Sequence, residues 1–188
     1  MAQAKTLTPA EVQKVLDYIE TRSMAHRDRA MFLMTCWSGM RVGEIAALRM
    51  GDVVMSDGSI RGEIRLAAEQ TKGRHSRTVF VSEKLRAELA TYLQGRATHF
   101  PTLPLFHTHS GRAFTASSLC QHFYWLYRRA GVPGASSHSG RRTFITNLAN
   151  KGIGVRVLAS LAGHRSIEVT QKYIEVNDDM RRRAVELA

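Results

Sequence analysis

The sequence predicts an α+β fold: mainly helical, with one small antiparallel sheet inserted early. Three observations predict it. Apolar residues recur at helical spacing over most of the chain. Between about Val53 and Val81 the texture changes to short apolar runs broken by Gly and Asp. The 188 residues, 44% hydrophobic and 23% charged, suit one globular domain with an ample core. No internal repeat, low-complexity tract or linker divides the chain, so residues 1–188 are read as a single domain.

Each element has its own signal. Thr8-Pro9-Ala10-Glu11 is a helix start, with Thr at the N-cap, Pro at the first position and Glu three after the cap. Val12, Val15, Leu16 and Ile19 follow on one face. A second helix is expected over about residues 28–37, stopping near Gly39, and a third from near Val42. Val53-Val54-Met55, residues 60–66 and residues 78–81 read as short strands, with a turn at Asp57-Gly58. Ser82 can cap a helix carrying Leu85, Leu89 and Leu93. Helices are then expected over about residues 116–130, 141–150, 155–162 and 167–173. Gly163 is placed as a helix stop and Ser166 as the next cap.

The formal charge is +11, which suits a partner that is a polyanion, nucleic acid above all. No long basic amphipathic helix argues for a membrane surface instead. The charge is also unevenly spread. The 79 residues between Glu88 and Glu168 contain no Asp or Glu, but nine Arg or Lys and six His. An ordinary solvated surface mixes both signs, so one side of the fold is expected to face phosphates. Two cysteines, Cys36 and Cys120, sit in apolar or aromatic settings and read as buried reduced thiols. The N-terminus has no signal peptide, and no apolar run is long enough to span a bilayer, so a cytoplasmic location is expected.

Cleaving a phosphodiester without a metal needs cations to hold the phosphate, an acid for the leaving oxygen and a nucleophile. Candidates for each occur in order. Gly39-Met40-Arg41-Val42-Gly43-Glu44 offers an Arg at a helix start, with Glu44 at i+3 able to reach back and hold it. Thr71-Lys72-Gly73 is a basic turn between two candidate strands. His138-Ser139-Gly140-Arg141 places His and Arg on one face at the start of a helix, where the dipole favours an anion. Gly163-His164 follows a helix stop, and Tyr173 lies nine residues further on. Taken singly, each has an ordinary reading: a surface Arg, a solvated turn, a helix-end His, a core Tyr. His107-Thr108-His109 is an alternating pair with no carboxylate near it in sequence, and reads as polar loop or strand rather than as a metal site.

Together and in this order, the motifs resemble those of the tyrosine recombinase (phage integrase) family. They are Gly39-x-Arg41-x-x-Glu44, Thr71-Lys72-Gly73, His138-x-x-Arg141, Gly163-His164 and Tyr173. The resemblance implies the integrase catalytic-domain fold and site-specific DNA recombination through a 3′-phosphotyrosine, without metal or other cofactor. It implies that Arg41, Arg141 and His164 bind the scissile phosphate, that Lys72 is the general acid, that His138 assists proton transfer and that Tyr173 attacks. Arg74, Arg77, Arg142 and Arg165, which flank these motifs, are expected to contact DNA, and the helix over residues 116–130 is a candidate groove reader. Partners implied are double-stranded DNA and further copies of the chain, through the tail from Val176; a solvated helix is the other reading of that tail.

Two departures stand out. Gly140 occupies a position where the family commonly has a larger apolar residue. Only about seven residues precede the first helix, so no separate N-terminal DNA-binding domain is expected here, whether the chain is a small recombinase or a piece of a longer one. Two other readings stay open: relaxation of DNA in the manner of a type IB topoisomerase, and a non-cleaving DNA-binding protein of the same fold.

Overall fold

A computed structural model describes residues 3–71, 73–94, 100–174 and 178–186. Helix α1 (Pro9–Glu20) begins as its sequence predicts: the Thr8 hydroxyl accepts from Glu11 N, and the Glu11 carboxylate accepts from Thr8 N at 3.0 Å. Helix α2 (Ala25–Ser38) starts three residues before the expected position and runs through the centre of the core. Ala30, Met31, Phe32, Leu33 and Met34 are all buried. A helical stretch apolar on every side must be enclosed, and α2 packs against α1, α5 (Glu83–Leu93) and α7 (Ser139–Asn150). Gly39 ends it at φ 65°, a left-handed cap that glycine adopts without strain.

Helix α3 (Val42–Ala46) follows at once, then α4 (Met50–Val53). Here the structure departs from the expected strand at Val53–Met55. The Asp52 carboxylate accepts from Arg49 N at 2.9 Å and closes a helical turn, leaving only Val54 in a single bridge to Ile60. A three-residue apolar run carries no period, so its sequence alone could not decide between helix and strand. Among the described residues the sheet is two-stranded and antiparallel, β1 (Glu63–Leu66) with β2 (Arg77–Phe80), in the register Glu63↔Phe80 to Leu66↔Arg77.

Helix α6 (Ala116–Arg129) is capped by the Thr115 hydroxyl, and buries Leu119, Phe123, Leu126 and Tyr127. Helix α7 lies against α2 so closely that a Cβ at Gly140 would stand 1.9 Å from Thr35 Oγ1. The glycine that departs from the family pattern is therefore the contact point of the two helices. Helices α8 (Val155–Ala162), α9 (Ile167–Gln171) and α10 (Asp178–Val185) complete the described chain. Both cysteines are free; Cys36 is buried and Cys120 is only partly so. No helix among the described residues is long and apolar enough to cross a membrane.

Candidate active site

Four separate segments meet around Glu44, in the first turn of α3. Its carboxylate accepts from Arg41 N at 2.8 Å and from Arg41 Nη1 at 3.0 Å, so the acid reaches back as the spacing predicts. It also accepts from Arg77 of β2, through Nε at 3.2 Å and Nη2 at 2.7 Å. Glu44 is buried. Burial by itself would push its carboxyl up, but Arg77 and Arg41 together hold it below the usual range.

Arg77 was expected on the DNA; in the structure it lines a cavity beside Arg41 while its guanidinium is bonded to protein. Its third donor, Nη1, reaches Leu161 O at 3.0 Å, so its guanidinium bonds to Glu44 and to α8. A Cβ at Gly163 would lie 2.6 Å from Arg77 Cδ, which explains a glycine there beyond its φ of 62°. Arg77 thus braces α3 against the end of α8.

Arg141 enters from α7. Its Nη1 donates to Gly39 O at 2.6 Å and its Nη2 to Ala162 O. These are carbonyls at the C-terminal ends of α2 and α8, where no intrahelical donor remains and the dipole favours a cation. Arg141 is therefore buried, and does not stand at the exposed start of α7 as the sequence suggested. His138, three residues earlier, stays exposed at the N-cap position of α7.

His164 follows the left-handed Gly163. Its Nε2 lies 2.9 Å from Arg141 Nη2, and its Nδ1 lies 2.9 Å from Oγ1 of the buried Thr170. A guanidinium only donates, so Nε2 accepts and the proton sits on Nδ1, aimed at Thr170. Burial, then Arg141, Arg41 and Arg77, push the imidazole down to about 4, so it is neutral at neutral pH. Burial and the facing Arg41 push the Arg141 guanidinium down to about 9. Burial is the larger cause of both shifts; the neighbouring arginines add to it, and an anion would relieve their part.

Tyr173 completes the group, but not from the helix expected to carry it. Helix α9 ends at Gln171 and Tyr173 lies in the turn beyond, with its N donating to Thr170 O at 2.9 Å. Its ring is stacked on that of His164, with centroids 5.7 Å apart and planes at 22°. A cavity of about 630 Å³ opens beside the cluster, lined by Arg41, Thr71, Gly73, His75, His164 and Arg165 among others.

The structure thus brings together Arg41, Glu44, Arg141, His164 and Tyr173. Lys72 lies outside the described residues; its chain neighbours Thr71 and Gly73 line the cavity. Arg74 is exposed at the hairpin turn with φ 50°, and Arg165 is exposed at the cavity rim. Arg142, also expected on DNA, is instead buried beneath Tyr173. Thr170 was not foreseen; only the fold places a hydroxyl six residues after His164 against its Nδ1. Among the described residues, no three His, Cys, Asp or Glu side chains gather as metal ligands.

The Phage integrase family matches this chain over residues 5–180. The chain belongs to that family. The integrase-family chain is 29% identical over 191 residues to tyrosine recombinase XerA of Pyrococcus furiosus, covering 98% of this chain and 62% of that protein. It is 31% identical over 183 residues to tyrosine recombinase XerC of Herpetosiphon aurantiacus, covering 93% and 57%. It spans about six tenths of the length of these relatives. Its fold matches a crystal structure of XerA recombinase with a TM-score of 0.78 at 24% identity, over all of this chain and 64% of that one. It also matches the Tn1549 transposon integrase in complex with circular intermediate DNA, with a TM-score of 0.74 at 21% identity, over all of this chain and 68% of that one.

Proposed function

We propose that this chain cuts and rejoins double-stranded DNA as a site-specific recombinase, with Tyr173 as nucleophile. The observation that carries the reading is one chain of contacts: Tyr173 stacked on His164, His164 bonded to Arg141, and Arg41 held by Glu44 at the same cavity. Arg41, Arg141 and His164 bind the scissile phosphate, and their hold strengthens as charge builds on its oxygens in the transition state. An arriving phosphate offers His164 Nε2 an acceptor and favours the imidazolium, so the histidine can then donate to it.

In the reaction, Tyr173 Oη bonds to phosphorus as the bond from phosphorus to the 5′ oxygen breaks. The phenol proton leaves with assistance from His138, and Lys72 gives a proton to the departing 5′ oxygen. A phenol with an ordinary pKa of about 10 is a good leaving group, so a 5′ hydroxyl can reverse the step and reseal the strand. The cationic side chains supply the charge stabilisation, and no step calls on a metal. Arg74 and Arg165 contact backbone phosphates, which makes affinity fall with salt. Copies assemble on DNA through α10; unchanged DNA-dependent sedimentation after truncation beyond Asn177 would remove that part of the reading.

The test uses nicked duplexes from the native locus, whose short 3′ flank diffuses away after cleavage. In chelator, the wild type gives a covalent protein–DNA band that resists detergent, and Tyr173→Phe gives none. A band of equal strength in Tyr173→Phe removes Tyr173 as the nucleophile. Joining of strands between two sites distinguishes recombination from relaxation alone.

A further inference from the structure

Arg142 follows Arg141 in sequence, yet the two guanidiniums serve different neighbours. Arg141 turns to His164 and the helix-end carbonyls. Arg142 runs to Tyr173, its guanidinium carbon 5.3 Å from the ring centroid. Its Nε donates to Thr6 Oγ1 at 2.9 Å. Thr6 belongs to the segment that precedes α1, and that segment is fastened on both sides of it. Leu7 is buried in the core, and its N donates to Thr143 Oγ1 of α7 at 2.8 Å. Lys5 Nζ donates to Pro133 O at 3.3 Å, and Gln3 Nε2 to Lys172 O at 3.5 Å, beside Tyr173 itself.

The turn that carries Tyr173 does little to aim it. It stands beyond a five-residue helix, is closed by backbone bonds from Tyr173 N to Thr170 O and from Ile174 N to Gln171 O, and is tied to α7 by Thr146 Oγ1 donating to Tyr173 O at 3.5 Å. These bonds hold its backbone; among the described residues its ring meets His164 and the Arg142 guanidinium. A planar guanidinium over an aromatic face is held by charge and by shape. With Nε bonded to Thr6, that plane is fixed from the N-terminal segment.

We propose that Arg142 is a positioning residue for Tyr173, and that the segment Gln3–Leu7 is the strap that sets it. Seating of the strap on α7 then governs how well the phenol oxygen lines up with phosphorus. Whatever displaces residues 3–7 lowers cleavage without touching the phosphate-binding cations. The proposal rests on Tyr173 being the nucleophile, so its test has an arm that needs no DNA.

The chain is labelled with ¹³Cζ-tyrosine, which gives five resonances, and Tyr173 is assigned by its loss in Tyr173→Phe. Arg142→Gln and Thr6→Val each shift the Tyr173 resonance and leave the other four in place. On nicked DNA, adduct formation in Arg142→Gln slows by about 100-fold, the scale of a misplaced reacting group. Thr6→Val, which removes one hydrogen bond, slows it by about tenfold. DNA affinity holds in both, because Arg142 is buried and the half-buried Thr6 is bonded to it rather than turned to a phosphate. Arg142→Lys recovers part of the rate by restoring the cation without the planar fork. A folded Arg142→Gln with an unmoved Tyr173 resonance and a wild-type rate overturns the proposal and leaves the nucleophile in place. If wild type makes no adduct, the nucleophile reading fails, and the resonance alone decides the positioning. If Arg142→Gln does not fold, Thr6→Val decides by the same criterion.

Discussion

Among the described residues two carboxylates are buried among arginines and a histidine, and the two clusters are built to different ends. Asp28, in the first turn of α2, meets Arg22 Nε at 2.6 Å, Arg27 Nη2 at 2.6 Å and His122 Nε2 at 3.2 Å. Arg27 also donates to His107 O at 2.8 Å, which ties the loop after residue 100 to α2. Burial would push the Asp28 carboxyl up, but His122 and then Arg27 bring it down to about 2. Glu44 has the same ingredients, yet Arg141 and His164 beside it are pushed towards their neutral forms and a cavity opens on the cluster. At Asp28 two arginines and His122 close around the carboxylate and hold elements together. At Glu44 the cations line a space that a phosphate can enter.

Paired substitutions sharpen this contrast most. Asp28→Asn leaves Arg27 buried beside a neutral group and should cost about 3–5 kcal/mol in urea unfolding, while adduct formation by the folded fraction is unchanged. Glu44→Gln should cost less, about 1–3 kcal/mol, because both of its partners, Arg41 and Arg77, line the cavity and can take up water there. Its main effect is on cleavage, which falls roughly 100-fold as Arg41 loses its orientation. A larger stability loss for Glu44→Gln than for Asp28→Asn would reverse the assignment of the two clusters.

Acid separates the clusters by smaller effects in different windows. His164 has its folded value at about 4 against an ordinary 6.5. As pH falls from about 6.5 to 4, the unfolded chain takes up a proton that the folded chain refuses, so stability drops across that range. Asp28 has its folded value at about 2 against an ordinary 3.8. Its contribution is complete above 3.8 and is lost as pH falls through about 2. Urea midpoints measured against pH should lose the first slope in His164→Gln and the second in Asp28→Asn. Bound DNA should flatten the first slope alone, since a phosphate stabilises the imidazolium. Slopes that persist in both variants would place the titrations elsewhere.

The difference between the clusters is also the limit of what could be read from the chain. Helix starts such as Thr8-Pro9-Ala10-Glu11 and stops such as Gly39 and Gly163 are local chemistry, and they stand where expected. The Arg41–Glu44 contact is local too, fixed by three residues of helix. The expected strand at Val53–Met55 failed because a short apolar run has no period and a single side chain, Asp52, closed a helical turn. Tyr173 fell outside its expected helix because α9 stops at Gln171, short of the residues that packing aims at the site.

What the sequence determined by itself is the set of candidate residue types, their order, the acid-free basic stretch and most helix boundaries. All of these depend on neighbours within a few positions, where helical geometry and capping act. Only the tertiary structure decided which protein groups each arginine meets. Arg77 and Arg142 read as DNA contacts, yet one braces Glu44 and the other lies under Tyr173. The physical reason is range: a guanidinium's partners here are carbonyls, hydroxyls and rings up to 136 residues away, brought near only when the helices pack.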